Sequence, residues 1–503
     1  MADTKREIER KYESDDSGLP DLTGVAGVAA VVDKGVAHLD ATYYDTADER
    51  LNAASITLRR RTGGSDAGWH LKFPVAPGVR DEIRAPLADT VPRVLAGLLR
   101  SRVRDAELEP VVRLRSDRDV RELTDAEGRL LAEVSVDAVR AERLTVGGGE
   151  AQWTEIEVEL ADGGDPVFLD EVEKRLRKAG VRPSSSASKL ARALAETAPR
   201  RKRRAKGARR AAEPVTAGDH VLAYLRAQRA AIVELDPAVR RDVYDSVHSM
   251  RVATRRTRSA FRSFGAVLDR SVTDPVGDEL KWLAGELGVD RDQEVLTERI
   301  TAALGELPRA LLAGPVRGRL RIWTNARRGG SRRRLIAVLD GKRYLELLGT
   351  LDGLIADPPL LKAAAGAPEK VIGKAVRKDL AKLSVLVERA LELPPGHERD
   401  LALHEARKKA KRTRYSAEAA VPALGADAAG LVKSMKSLQN LLGDHQDSVM
   451  TREALRELAA QAQAAGESSF TYGVLYGREE RRATADEARL PQAWAETKAG
   501  ARV

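Results

Sequence analysis

Two blocks of this sequence recur at almost one offset, and a duplication that long leaves few architectures open. His248, Arg251, Arg255, Arg256, Thr257 and Arg258 reappear as His404, Arg407, Lys411, Arg412, Thr413 and Arg414, at 404 − 248 = 156 residues. Lys281, Leu283, Leu287, Gly288 and Asp292 reappear as Lys436, Leu438, Leu442, Gly443 and Asp447, at 436 − 281 = 155 residues. The period far exceeds that of solenoid arrays, so a whole helical bundle has been duplicated. From His220 onward glycine and proline retreat to loops and the apolar spacing is that of long amphipathic helices. The expectation is an all-α region made of two copies of one helical bundle, related by a pseudo-two-fold.

The first part of the chain reads differently. From Thr4 to about Leu160, short alternating segments are separated by turn material such as Gly63-Gly64, Pro77-Gly78 and Gly147-Gly148-Gly149, which predicts antiparallel strands. Helical patterns over Asp170 to Gly180 and Ser188 to Thr197 close this part. Between Pro199 and Pro214 lies RRKRRAKGARR, Arg200 to Arg210, whose composition cannot build a core. The chain of 503 residues is therefore read as a strand-rich domain at 1–198, a basic linker at 199–214 and a helical domain at 215–503, its halves about 215–360 and 361–503.

Composition excludes several chemistries. There is no cysteine, so disulfides, cysteine-based zinc sites and thiol nucleophiles are ruled out and any metal must be held by oxygen or imidazole. Charged residues at 32% against 43% apolar fit a soluble globular chain, and with aromatics at 4% the cores must be Leu, Val and Ala. No apolar run approaches the ~18 residues that span a bilayer, and Met1 to Arg10 is charged, so a cytoplasmic protein is expected. Formal charge is 86 − 76 = +10, but the linker run holds eight of those cations and leaves only +2 elsewhere. Net charge alone is thus a poor guide to partners.

The strand region carries charge on one face. Glu7, Glu9 and Lys11 alternate with Ile8, Arg10 and Tyr12, and share one side of a strand. Arg59 and Arg61, His70 and Lys72, and Arg113 and Arg115 repeat the device with polar pairs. Glu133, Ser135 and Asp137, then Glu155, Glu157 and Glu159, repeat it with acids. One reading is the solvent face of a plain sandwich. The other is a closed barrel with the charges inward, whose lumen must hold water, ions or a charged ligand because unpaired buried charge is too costly. Carboxylates two residues apart suit Mg²⁺ or Mn²⁺, and paired arginines suit phosphate oxygens, so the second reading points to a metal-bound polyphosphate.

On those residues, 5 to about 197 resembles a CYTH domain, the triphosphate tunnel metalloenzyme family. The resemblance rests on the Glu7-x-Glu9-x-Lys11 start, Tyr43-Tyr44-Asp45-Thr46, Arg59 and Arg61, Lys72 with Pro74, Arg80 and Glu82. It continues through Arg113 and Arg115, Asp137, the EIEVEL strand and Ser188-Lys189. It implies an eight-stranded antiparallel tunnel with flanking helices that binds triphosphates and usually hydrolyses them with divalent metal. Carried over by position, Glu7, Glu9, Lys11 and Asp137 would be catalytic, and Glu7, Glu9, Glu157 and Glu159 would hold the metal. Arg59, Arg61, Lys72, Arg80, Arg113, Arg115 and Lys189 would grip phosphates. Relatives include adenylyl cyclases and thiamine triphosphatases, but no nucleoside pocket is legible, so inorganic triphosphate is the simplest substrate.

In the helical part, His248, Arg251, Arg255, Arg258 and Arg262 step by 3, 4, 3 and 4 along one helix face, and His404, Arg407, Lys411 and Arg414 repeat the stripe beside Lys408. Like charges so spaced repel, so the stripe calls for a counter-anion. The recurring Leu-Gly-x-x-x-Asp reads as structural: a bend plus a carboxylate tethering cations. The first copy carries Val289, Asp290 and Arg291 where the second has Asp444, His445 and Gln446, which predicts local asymmetry. About Val215 to Arg482 resembles the CHAD domain, the conserved histidine α-helical domain, which implies two four-helix bundles facing each other across a basic groove that binds inorganic polyphosphate through these stripes. The leading expectation is a Mg²⁺- or Mn²⁺-dependent inorganic triphosphatase coupled to a polyphosphate-binding module. The alternative is a non-catalytic polyphosphate-targeting protein. Nucleic acid is disfavoured because the stripes hold almost no aromatics for base stacking.

Overall fold

The computed structural model describes residues 3–14, 18–198, 213–328 and 331–500, with the side chains of 289–292, 328 and 331 excepted. The basic run Arg200 to Arg210 and the side chain of Asp292 lie outside the described residues. The chain divides into two compact units, Met1–Arg210 and Ala211–Val503.

The first unit is a closed antiparallel barrel. Its strands are β1 (Asp3–Ser14), β2 (Ala30–Asp45), β3 (Thr57–Thr62), β4 (Gly68–Ala76), β5 (Val79–Ala85), β6 (Glu109–Thr124), β7 (Leu130–Arg143) and β8 (Glu150–Leu160). They pair in the order β5-β4-β3-β2-β6-β7-β8-β1, and β5 pairs with β1 to complete the ring. A two-residue strand, β9 (Arg182–Pro183), adds to β1. Closure leaves no free edge on the eight strands.

This barrel is turned inside out relative to an ordinary sandwich. Its outer face is apolar and covered by helices: Tyr12, Val134, Ile156 and Val158 pack under α3 (Val167–Lys178), and Leu58, Leu71 and Ile83 pack under α2 (Arg93–Val103). A short α1 (Arg50–Ala53) follows β2. The last helix of the unit, α4 (Lys189–Glu196), starts at Ser188, whose hydroxyl accepts from the Ala191 N–H at 3.1 Å. Leu190, Ala193 and Leu194 of α4 pack on Ala41, Leu114, Val139 and Trp153, which the pairing register places on the inner face at one end of the tunnel.

The second unit is helical: α5 (Ala217–Arg240), α6 (Ser246–Ser263), α7 (Arg270–Glu286), α8 (Val289–Gly305), α9 (Val316–Arg328), α10 (Ser331–Asp340), α11 (Lys342–Ala356), α12 (Pro368–Glu392), α13 (His397–Ala464) and α14 (Phe470–Gly500). A break at Gly425 (φ 59°, ψ −131°), three residues after Pro422, divides α13 into limbs 397–424 and 426–464. The duplication is then visible limb by limb. α5 corresponds to α12, α6 to 397–424, α7 with α8 to 426–464, and α9–α11 to α14. Each half thus has four limbs, as a duplicated four-helix bundle requires. One core runs through both halves, joining Leu225, Phe261 and Leu280 to Leu383, Ala417 and Leu438, so the bundles are fused rather than merely adjacent. A smaller core gathers Ile300, Leu320, Leu458 and Leu475. Among the described residues no helix is long and apolar enough to cross a membrane.

Candidate active site and anion-binding groove

Strand register decides which charges enter the tunnel. Lys11 stands opposite Glu157 and Glu157 opposite Ser135, while Glu155 stands opposite Asp137 and Asp137 opposite Arg118. Directly paired residues share a face. The same face continues through Glu7 opposite Arg80, Glu82 opposite Lys72, and Tyr43 opposite Arg59.

At one place three carboxylates converge. Asp137, Glu155 and Glu157 each offer an oxygen within 4.8 Å of the others. Lys189 Nζ sits among them, 3.0 Å from Asp137, 2.6 Å from Glu155 and 2.6 Å from Glu157. Arg118 forks onto Asp137 at 2.7 and 2.8 Å and reaches Glu157 at 2.8 Å, and Lys11 pairs with Glu157 and, at 3.2 Å, with Glu9. Burial opposes charge on Glu157, but Lys11, Lys189 and Arg118 hold its carboxyl well below the ordinary carboxylate range. Asp137 is lowered in the same way, against burial, by Lys189 and Arg118. An all-oxygen donor set suits Mg²⁺ or Mn²⁺, and the ammonium among the three carboxylates shows that a cation is accommodated there.

A second group lies around Glu82. His70 Nδ1 is 2.8 Å from its Oε1, Lys72 is 3.5 Å away and Arg59 3.9 Å. Lys72 also bonds Glu7 at 2.5 Å. Burial pushes His70 down to about 4, with Glu82 opposing and Arg59 adding to the shift. Arg61 is pushed down to about 9 by burial, then by Arg59 and Arg118. The Nε atoms of Arg59 and Arg61 are buried with no acceptor, and Tyr43 Oη takes one Arg59 N–H at 3.3 Å. Arg61 pairs with Asp66 through its other edge, so what this part of the lumen offers an anion is the two unsatisfied Nε–H donors.

The structure therefore brings together Glu9, Lys11, Asp137, Glu157 and Lys189, and holds Glu7, Arg59, Arg61 and Lys72 in the adjoining group. Arg80 reaches both Glu9, at 4.0 Å, and the Ala187 carbonyl, at 2.6 Å. Three expectations are corrected. Arg113 and Arg115 are opposite Thr42 and Asp40, on the outer face, where Arg113 forks onto Asp40 at 2.5–3.2 Å; the inward residues of β6 are Leu114, Ser116 and Arg118. Glu159 is opposite Glu9 and Glu133, and its carboxylate pairs with Lys5 at 2.6 Å rather than joining the triad. Arg118, Glu155 and Glu82 fill roles the sequence reading had given to others. Cross-strand register supplies that information and spacing along one strand does not.

In the helical unit the two stripes converge. Burial pushes Lys411 down to about 7, helped by Arg407, Arg255 and Arg251, so cations from α6 and from limb 397–424 share one environment that Asp447 only partly offsets. Burial, then Arg262 and Arg255, lower Arg258. Arg414 pairs with Glu418 at 3.3 Å, as does Arg256 at 2.9 Å, and His404 Nδ1 meets Gln446 Oε1 at 2.6 Å. His248 leads the first stripe from an exposed position. Lys408 is a correction: one residue past Arg407 it turns about 100° off the stripe, stands exposed and pairs with Glu405. The expected tether is present in the second copy, Arg407 to Asp447 at 3.8 Å. The expected bend is present only in the first, where the helix breaks at Leu287 and Gly288; limb 426–464 runs straight through Leu442 and Gly443.

A closed tunnel lined by acids and cations, in one chain with a duplicated helical unit of converging basic stripes, defines a tunnel-plus-bundle phosphate protein. Family models specify it further: a CYTH domain matches residues 5–194 and a CHAD domain residues 223–456. The chain belongs to the CYTH–CHAD family, whose tunnel domain places it among the metal-dependent triphosphate tunnel metalloenzymes. Uncharacterized proteins of two Mycobacterium tuberculosis strains, CDC 1551 / Oshkosh and H37Rv, are 39% identical over 489 residues, covering 94% of this chain and 92% of each relative. Among solved structures, PptA from Streptomyces chartreusis is 22% identical over 56% of this chain and 99% of its own, with a TM-score of 0.48.

Proposed function

We propose that the tunnel hydrolyses inorganic triphosphate, with Mg²⁺ or Mn²⁺, to pyrophosphate and orthophosphate, and that the helical groove binds inorganic polyphosphate. The observation that carries this reading is the pairing, in one lumen, of a convergent carboxylate triad with buried arginines short of acceptors. Asp137, Glu155 and Glu157 would hold the metal, with Glu7 and Glu9 on the adjoining β1. A divalent cation there would neutralise phosphate charge and lower the pKa of a bound water. Arg59, Arg61, Lys72 and Arg118 present forked or point donors to phosphate oxygens, and a triphosphate supplies the acceptors that the Nε atoms of Arg59 and Arg61 lack. Arg61 also pairs with Asp66, so it is the Nε edges of Arg59 and Arg61 that remain for a phosphate, in a low-dielectric space where they stabilise developing negative charge more than solvated groups would. In the helical unit, Arg251, Arg255, Arg258, Arg407, Lys411 and Arg414 form a stripe pair whose mutual repulsion an extended polyanion relieves.

The experiment is colorimetric phosphate release from tripolyphosphate by the full chain with Mg²⁺ or Mn²⁺, beside a Glu7→Ala, Glu9→Ala variant. Metal-dependent turnover lost in the variant supports the reading. A folded protein that binds long-chain polyphosphate but releases no phosphate with either metal would leave a targeting protein instead.

A further inference from the structure

We propose that Lys189 is a resident cation of the carboxylate triad, and that a divalent metal enters by exchange with its ammonium, which is thereby released to the triphosphate. This rests on the metal-holding role of Asp137, Glu155 and Glu157 proposed above and adds a control on it. Lys189 is the cation that touches all three carboxylates, at 2.6–3.0 Å. Arg118 reaches two of them and Lys11 one.

Charge bookkeeping favours exchange over addition. Asp137, Glu155, Glu157 and Glu9, which shares Lys11, are four carboxylates against three cations, Lys11, Arg118 and Lys189, all of them largely buried. Adding a divalent ion while Lys189 stays would leave one uncompensated positive charge in a low-dielectric space, which is costly. Withdrawing the ammonium removes it, and a triphosphate supplies acceptors for the lysine. The architecture permits the move. Lys189 is the first residue of α4, whose backbone is fixed by the Ser188 cap and by Leu190, Ala193 and Leu194 in the core, while its four-carbon stem can reorient without shifting the helix. The consequence is reciprocal coupling: a phosphate that gives Lys189 a new partner tightens metal, and metal that frees Lys189 tightens phosphate.

The test is Mn²⁺ binding to the full chain, followed by the electron paramagnetic resonance of free Mn²⁺ and so independent of turnover. Glu155→Gln identifies the triad site as the Mn²⁺ equivalent lost from wild type. Lys189→Met, which keeps the stem and removes the charge, is expected to bind that equivalent about tenfold more tightly, within the usual range of coupling energies. If Lys189→Met fails to fold by circular dichroism, Lys189→Gln takes its place. Wild type that binds Mn²⁺ at the triad with no gain in the Lys189 variant would overturn the exchange alone. Absence of a Glu155-dependent Mn²⁺ from wild type and variant alike would overturn the metal role of the triad and the exchange together.

Discussion

The guanidinium of Arg251 lies so close over Gly288 that a Cβ at that glycine would stand 2.8–3.1 Å from three of its atoms. The repeat places Arg407 over Gly443 in the same way, with more room, at 3.8–3.9 Å. The two duplicated blocks are therefore halves of one contact: the glycine of the Leu-Gly block is the floor on which the arginine of the His-x-x-Arg block rests. Both positions have a backbone that alanine can adopt, since the N-cap Gly288 stands at φ −92°, ψ −19° and Gly443 lies inside a continuous helix.

Gly288→Ala should displace Arg251 and weaken polyphosphate binding several-fold, and because Gly288 is the N-cap of α8, where alanine is disfavoured, it should cost up to about 1 kcal/mol of stability. Gly443→Ala should leave binding near wild type. Fluorescence titration with long-chain polyphosphate, paired with thermal unfolding, checks both; equal losses in the two variants would contradict the contact.

Lys411 links binding to pH. Its pKa of about 7 in the free protein should rise toward the ordinary lysine value when phosphate supplies counter-charge. The complex then holds more protons than the free protein above about pH 7, so affinity falls as pH rises from there. Calorimetry at pH 8 in buffers of different ionisation enthalpy should show proton uptake on binding, reduced in Lys411→Met.

Strand parity separates arginines that look alike in the sequence. Arg113→Ala with Arg115→Ala removes outer-face cations and should alter tripolyphosphate turnover by no more than about twofold, as surface changes usually do. Arg118→Ala opens the triad network from inside the lumen and should cost about a hundredfold or more in kcat, the scale of losing a preorganised charge at the reacting group. Steady-state kinetics on both variants decides.

His70 makes the barrel acid-sensitive. Its folded pKa of about 4 lies below the ordinary 6.5, so between these values the unfolded chain binds the extra proton and stability falls as pH drops. Chemical denaturation across pH 7 to 4 should show this slope, and His70→Gln should flatten it.

Much of this was legible in the sequence, and the remainder has an identifiable physical reason. Alternation in Glu7, Glu9, Lys11 and in Glu155, Glu157, Glu159 was enough to expect a charged sheet face, and the ordered motif series of the CYTH resemblance to expect its closure into a tunnel. The 155–156 residue offsets were enough for a duplicated bundle, though not for the single core that fuses its copies. Which arginines of β6 enter the lumen was not legible, because Arg113 and Arg115 have the same spacing as Arg59 and Arg61, and only pairing with β2 and β7 distinguishes them. Likewise Glu155 rather than Glu159 joins Asp137 because of where β7 meets β8. The purpose of Gly288 was hidden for a similar reason: its partner, Arg251, is on another helix.

The central claim is hydrolysis in the tunnel, and ³¹P NMR of tripolyphosphate incubated with the full chain and Mg²⁺ tests it most directly. The account predicts equal amounts of pyrophosphate and orthophosphate from the wild type, and intact tripolyphosphate from a folded Glu157→Gln variant. Tripolyphosphate left intact by folded wild type, or cleaved equally well by Glu157→Gln, would contradict it.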